Sequence, residues 1–346
     1  MNLSAVRATK DNSKMTVTEE QIRAALTQTI NKIEFDEAEN SYHGKVRDSF
    51  IINNKRAIVV SDRVSAFDFI LGTIPYKGAV LNQIAAWWFN QLGKIDINHH
   101  LISTPHPNVS IVKDAAVIPI EVIVRGYLTG TTTTSSWYAY ENLDRNICGI
   151  EMPEGMKKNQ KFDNNMVTPT TKPDQGHDQG ISAELIIDQG LLKPFCELMC
   201  LNEEEIWHKI EKAALKLFAY GQKIAKKQGL ILVDTKYEMG VDEDGELMLV
   251  DEVHTPDSSR YWIKQSYKTR FERGLEPESL DKEFVRRMIV DAGYDVDSDE
   301  DPSKYMTDEI RISASEKYIE LYERITGTKF EITDSDSIQS VLQNVT

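Results

Sequence analysis

The segment LILVDTKYEMGVDEDGELMLVDEV, residues 230–253, constrains this chain more than any other. Two apolar, β-branched runs flank Asp242-Glu243-Asp244-Gly245, a turn sequence, so the segment predicts a β-hairpin. Side chains alternate along a strand, so Asp234, Lys236 and Glu238 share one face. A fold about Glu243-Asp244 pairs residues whose numbers sum to about 487, which sets Asp251 opposite Lys236 on that face. A solvated surface could carry three carboxylates and an ammonium. The apolar flanks argue otherwise, because carboxylates embedded in a nonpolar sheet demand compensation. A hard divalent cation supplies it: Mg²⁺ takes one or two carboxylates together with phosphate oxygens. The hairpin therefore reads as a candidate metal–nucleotide site.

Other segments carry related chemistry. In HGKVRDSF, Gly44 permits close backbone approach, and Lys45 and Arg47 point to one side of an extended chain. That arrangement suits a hairpin lid over polyphosphate, although Lys and Arg are common on exposed strands. SDRVSAFDF packs Ser61, Asp62, Arg63, Ser65 and Asp68 at the end of the strand RAIVV, where polar loops often carry function. VIPIEVIVRGYLTGT reads as a buried strand running into a glycine-rich turn. Arg125, Gly126, Thr129, Gly130 and Thr131 suit a phosphate cup of one fork-shaped donor plus backbone N–H groups, the alternative being a strand-terminal Arg held in a salt bridge. TPDSSR repeats the theme with Asp257, Ser258, Ser259 and Arg260. TPTTKPDQGHDQGIS gathers Lys172, His177, Asp178 and Ser182 in a loop. There is no GxxxxGK[ST], GxGxxG or GxSxG, so neither a P-loop, a Rossmann fingerprint nor a hydrolase elbow is present.

Composition sets outer bounds. The 346 residues carry a net charge of −15, which argues against general nucleic-acid binding but leaves room for a small anionic ligand. Residues 291–346 hold 14 acids and 5 bases, −9 of that total. No apolar run reaches the ~18 residues of a membrane span, and the polar start lacks a secretory core. Three scattered cysteines predict buried thiols in a reducing cytoplasm. The length suggests roughly two domains.

Helix signals include the Thr18/Gln21 capping box, followed by an apolar face of Ile22, Leu26, Ile30 and Ile33. A longer helix starts after Asn202, with a stripe of Ile206, Ile210, Ala214, Leu217 and Ile224 and a stop at Gly229. KGAVLNQIAAWWFNQL predicts a helix whose tryptophans are core, and another helix ends near Gly327. Strands are expected at SFIINN, RAIVVS, VIPIEVIVR, LILVDTKYE and ELMLVDEV, with an Asn53-Asn54 turn. This mixture, without a βαβ rhythm, predicts an α+β fold with antiparallel sheet.

The segments GKVRD, SDRVSAFD, KGAVLNQ, PIEVIVRGYLTGT, TPTTK with HDQGIS, LVDTKYEMG and VDEVHTPDSSR run in order from residue 44 to 260, nearly two-thirds of the chain. In that order they resemble the SAICAR synthetases, in the longer single-function form. Two departures stand out: Thr131 replaces the usual Ser and keeps the hydroxyl, and Met239 replaces Phe between Glu238 and Gly240. The resemblance implies a two-lobe, kinase-like arrangement with the ATP cleft between lobes. A mobile tail (1–16) would precede an N-terminal lobe (17–120) and a C-terminal lobe (121–346), the latter with an acidic helical extension from about 270. It implies an ATP-dependent ligase joining L-aspartate to a carboxylated aminoimidazole ribonucleotide, with Mg²⁺, as a monomer or homodimer in the cytoplasm. Gly44, Lys45, Arg47 and Lys236 would serve the ATP phosphates, and adenine would lie along Ile120, Glu121 and Ile123. Glu238 and Asp251 would hold Mg²⁺, and with Lys236 they would form the catalytic set. Arg125, Thr131 and Arg260 would grip the ribonucleotide phosphate, and Ser65, Asp68, Lys172 and Asp178 would line the ribonucleotide and aspartate region. The competing reading is a kinase on a related scaffold, although HRDxxxxN and DFG are missing.

Overall fold

The computed structural model describes residues 16–172, 179–296, 298, 300–333 and 337–345. The chain opens with α1 (Glu19–Ala24), which has the expected reciprocal Thr18–Gln21 capping box. This helix is shorter than the apolar spacing predicts. A 3₁₀ turn ends it at Thr27, and Ile30 and Ile33 lie beyond it, outside any helix or strand. The cause is competition for backbone donors: Asp62 takes the Ile30 N–H at 2.8 Å and Asp48 takes the Ile33 N–H at 3.0 Å.

The first sheet follows from β1 (Asn40–His43), β2 (Arg47–Ile52) and β3 (Lys55–Val60). A small hairpin, β4 (Arg63–Ala66) with β5 (Phe69–Thr73), and helix α2 (Lys77–Leu92) intervene before β6 (Leu101–His106) and β7 (Val109–Val112). The sheet is antiparallel in the order β1-β2-β3-β7-β6. Asn53 and Asn54, both with positive φ, close the β2–β3 hairpin as a two-residue turn. Trp88 and Phe89 of α2 are buried in the core, as the sequence suggests, while Trp87 is half-buried against it.

The second sheet is built on β8 (Ala116–Leu128). After α3 (Ser136–Glu141), the short ladder β9 (Asn146–Ile147) with β10 (Ile150–Glu151) precedes β11 (Gln160–Val167), β12 (Thr170–Thr171) and β13 (Gln179–Gly180). Helices α4 (Ala183–Asp188), α5 (Lys193–Met199) and α6 (Glu203–Lys227) lead into β14 (Leu230–Val241), β15 (Leu247–Val250) and β16 (Ser259–Ile263). The long strands β8 and β14 pair centrally; β11 and β12 flank β8, and β15 and β16 flank β14. The boundary between residues 120 and 121 falls inside β8.

Alternation along this central pair separates two chemistries. Val122, Val124, Tyr237 and Met239 enter one core with Ile206, Ile210, Ala214 and Leu217 of α6, whose Asn202–Glu205 capping box is present. The charged residues occupy the opposite face.

Helices α7 (Lys264–Glu272), α8 (Lys282–Asp291), α9 (Asp308–Thr326) and α10 (Ile338–Gln343) complete the chain. Helix α9, stopped by Gly327 at φ 72°, packs against α2 and α1. Ile338 and Leu342 of α10 are buried with Phe35, which precedes β1, and with Phe50 of the first sheet. The acidic C-terminal segment is thus part of both cores. The cysteines depart from expectation: Cys148 and Cys196 are half-buried, and Cys200 is exposed.

Candidate functional site

The β8–β14 register assembles the polar face. Glu121 stands opposite Glu238, Ile123 opposite Lys236, and Arg125 opposite Asp234, while Arg260 of β16 flanks Asp234 on its other side. Two glutamates facing each other across a ladder repel. Here Lys236 answers both, with Nζ 2.8 Å from Glu121 and 2.7 Å from Glu238. Lys172 reaches the second Glu238 oxygen at 2.7 Å. Burial pushes the Glu238 carboxyl up, but the two ammoniums outweigh it and hold it at about 2. The same carboxylates raise Lys236 well above its ordinary value against the effect of burial. Ile120 points the other way, into the core with α6.

Asp251 joins this group by a different route from the one the sequence suggests. Glu238 pairs with Val250 and Val241 with Leu247, so the register is one residue off the expected pairing and Asp251 does not stand opposite Lys236. The turn is centred on Asp244, because Gly245 takes a left-handed conformation at φ 79° and lengthens the loop. Strand β15 ends at Val250, and Asp251 itself is left-handed at φ 62°. Its carboxylate meets Arg47 at 3.0 Å, and Arg47 also holds Glu252 at 2.7 Å. Burial, then the charges of Glu238 and Glu252, push the Asp251 carboxyl up to about 6 against the pull of Arg47.

At the other end of the row the side chains suit an anion. Arg260 binds Asp234 at 2.6 Å, and Arg125 donates to Thr168 Oγ1 at 2.7 Å and to the Thr134 carbonyl at 2.8 Å. Gly130, at φ 93°, lies against the Arg260 guanidinium; a Cβ there would come within 2.8 Å of it and within 2.4 Å of Ser135 Oγ. Thr131 is exposed in the same turn.

The turn between β1 and β2 is fixed by Arg63. Arg63 donates to the Gly44 and Lys45 carbonyls at 3.0 and 3.1 Å and to the fully buried Asp48 at 2.8 Å. Lys45 Nζ lies 3.2 Å from Asp68, so residues expected in separate ligand sets meet. Ser65 is half-buried in β4. Asp178 lies outside the described residues.

The residues that sequence reasoning missed are mostly supports. Glu252, Asp48 and Lys77 sit inside the motifs without a chemical role of their own, and Asp257, expected in a phosphate cup, instead pairs with the buried Lys77 at 2.7 Å. The available signal was a charged residue within an apolar alternation, as at Asp48 in RDSFII, which must find a buried partner.

Among the described residues, no three His, Cys, Asp or Glu side chains converge as a metal cage. The donor set nonetheless fits Mg²⁺ delivered with a nucleotide, which needs only one or two carboxylates. A cation would also hold ionised the Asp251 carboxyl that its surroundings push up.

The SAICAR synthetase family model matches residues 40–301. The phosphoribosylaminoimidazole-succinocarboxamide synthase of Legionella pneumophila (strain Paris) is 44% identical over 294 residues, covering 84% of this chain and 88% of that protein. Its counterpart from Bacteroides fragilis is 46% identical over 317 residues, covering 91% and 95%. The solved SAICAR synthase of Saccharomyces cerevisiae, complexed with SAICAR, superposes with a TM-score of 0.70 at 32% identity, over 88% of this chain and all of that one. A SAICAR synthetase solved with ADP gives a TM-score of 0.62 at 26% identity, over 85% and 100%. With the polar face assembled and these likenesses spanning most of its length, the chain belongs to the SAICAR synthetase family.

Proposed function

We propose that this chain is a phosphoribosylaminoimidazole-succinocarboxamide synthase. It joins L-aspartate to the carboxylate of 5-amino-1-(5-phosphoribosyl)imidazole-4-carboxylate and converts ATP to ADP and phosphate, a step of purine biosynthesis. The observation that carries the reading is the single charged row on β8–β14. Lysines bridge buried carboxylates at one end, and the buried Arg125 and half-buried Arg260 flank Asp234 at the other.

A carboxylate is a poor electrophile. Transfer of the γ-phosphoryl group to a carboxylate oxygen gives an acyl phosphate. The aspartate amine then attacks the acyl carbon, the C–N bond forms, and phosphate leaves with the C–O bond pair. In our reading Lys236 and Lys172 neutralise charge gathering on the transferred group. Lys45, with Gly44 and Arg47 in the same hairpin, covers the ATP phosphates, and adenine lies along Glu121 and Ile123, while the Ile120 side chain is turned into the core and does not face it. Arg125, Arg260 and Thr131 bind the ribonucleotide phosphate away from the reacting atoms. Ser65, Asp68, Lys172 and Asp178 line the region for the rest of the ribonucleotide and aspartate. Glu238 and Asp251 would hold Mg²⁺, which supplies charge neutralisation at the phosphates. The two-lobe division (17–120 and 121–346), a cytoplasmic location and a monomeric or homodimeric state belong to the same reading. Among the described residues, no helix is long and apolar enough to cross a membrane.

The test is a coupled assay of ADP release with Mg²⁺. Release is expected only when ATP, aspartate and the carboxylated ribonucleotide are all present, with one SAICAR formed per ADP. Turnover without aspartate would make the protein a kinase, and ATP binding without turnover under any substrate pair would make it a nucleotide-binding module.

A further inference from the structure

The family match ends at residue 301, yet α9, beyond it, touches the turn that leads into β16 and Arg260. The Tyr318 hydroxyl donates to Asp257 Oδ1 at 2.8 Å, and the fully buried Lys77 donates to Asp257 Oδ2 at 2.7 Å. Lys77 Nζ also lies 5.9 Å from the Tyr318 ring centre. Both oxygens of a buried carboxylate are therefore engaged, one of them by a residue 61 positions away.

Asp257 begins the turn that leads to the anion end of the row. Its N–H and that of Ser258 both reach Thr255 Oγ1, at 3.3 and 3.4 Å. The Ser258 carbonyl accepts from the Lys236 N–H at 2.9 Å, and the Ser259 hydroxyl meets Thr235 at 2.7 Å. Arg260 follows directly on the strand. A carboxylate clamped on both oxygens thus fixes where this turn meets β14, and with it the direction of the Arg260 guanidinium.

We propose that Tyr318 is a positioning residue: through Asp257, α9 seats the 255–260 turn so that Arg260 meets the ribonucleotide phosphate. The proposal rests on the reading of Arg260 as a phosphate ligand. It gives the C-terminal segment a part in substrate recognition rather than in stability alone.

The experiment is steady-state kinetics on the full chain, varying each substrate in turn, with a thermal melt for every variant. Tyr318→Phe is expected to raise the ribonucleotide KM about tenfold, ~1.4 kcal/mol. The KM values for ATP and aspartate, and kcat, should stay within about twofold, because the affected contact is to a nonreacting group. Ser315→Ala is the control: it removes another buried anchor of α9, the 2.8 Å hydrogen bond to the Pro75 carbonyl, without touching Asp257. It should lower Tm and leave every KM in place. Arg260→Lys tests the underlying reading and should raise the ribonucleotide KM selectively. The proposal is overturned if Arg260→Lys does so while Tyr318→Phe matches the wild type. It is also overturned if Ser315→Ala raises the ribonucleotide KM as much as Tyr318→Phe, because docking of α9 then explains the effect. An unchanged ribonucleotide KM in Arg260→Lys overturns the phosphate reading, and the proposal with it.

Discussion

Several buried carboxylates among the described residues are answered by a cation: Asp48 by Arg63, Asp257 by Lys77, Asp234 by Arg260. Removing one partner of such a pair leaves an uncompensated charge, which costs about 3–5 kcal/mol. His254 solves the same problem by staying neutral. Its ring is fully buried against Trp88, centroids 4.6 Å apart, and Nε2 meets the Tyr237 hydroxyl at 2.5 Å. Burial lowers its pKa from 6.5 to about 3. The unfolded chain therefore takes up a proton near pH 6.5 while the folded chain resists until about pH 3. The stability contributed above 6.5 is lost as pH falls through that window. At pH 5 the loss amounts to about 2 kcal/mol. His100, also lowered to about 3, adds in the same direction. Urea unfolding at pH 7 and pH 5 should show the pH-dependent loss shrinking by about 2 kcal/mol in His254→Gln; an equal loss in both proteins would clear this imidazole of the acid response. Nothing in HTPDSSR marks that histidine as neutral, since its environment comes from α2 and β14, far away in the sequence.

At the scale of elements, period two was enough to read Asp234, Lys236 and Glu238 onto one face, because alternation needs only local sequence. The position of Asp251 was not readable in that way, because it depends on the length of a turn in which one left-handed glycine shifts the pairing by a residue. Helix α2 shows a similar dependence on distant parts. Its N-cap residue, Tyr76, makes no side-chain cap, and Asp62, carried on the end of β3, accepts the Gly78 N–H at 2.8 Å instead. A Cβ on Gly78 would stand 2.2 Å from the Val60 carbonyl oxygen and 2.6 Å from Asn108 Nδ2. Gly78→Ala is accordingly expected to cost about 3 kcal/mol or more. Gly93→Ala, at a helical φ of −57° with nothing within 4 Å of the new methyl, should be neutral or stabilising by about 0.5 kcal/mol. Chemical denaturation of the two variants side by side checks the contrast, and equal midpoints would remove the steric account.

Across the whole molecule the acidic total of −15 is misleading, because the site draws its charge from a local row of alternating sign. The sequence marked residues 291–346 as acidic and helical. It could not show that α9 and α10 bury apolar faces against parts of the chain some 240–300 residues earlier, since such pairings leave no local pattern. Leu342 is fully buried beside Phe35, Phe50 and Val109. Leu342→Ala should therefore cost about 2–5 kcal/mol, seen as a lower denaturant midpoint with an unchanged slope. A midpoint equal to that of the wild type would mean that α10 is not docked in solution.

The charged row on β8 and β14 also bears on how the chain folds. A one-residue slip in either strand would turn every member of its row toward α6. Arginine, lysine and carboxylates would then enter a hydrocarbon interior without their partners, at a cost no alternative contact repays. Wrong pairings of the two longest strands are thus self-rejecting. The residues proposed to bind the substrates would also proofread assembly, so a variant that neutralises several of them should lose fidelity of strand pairing.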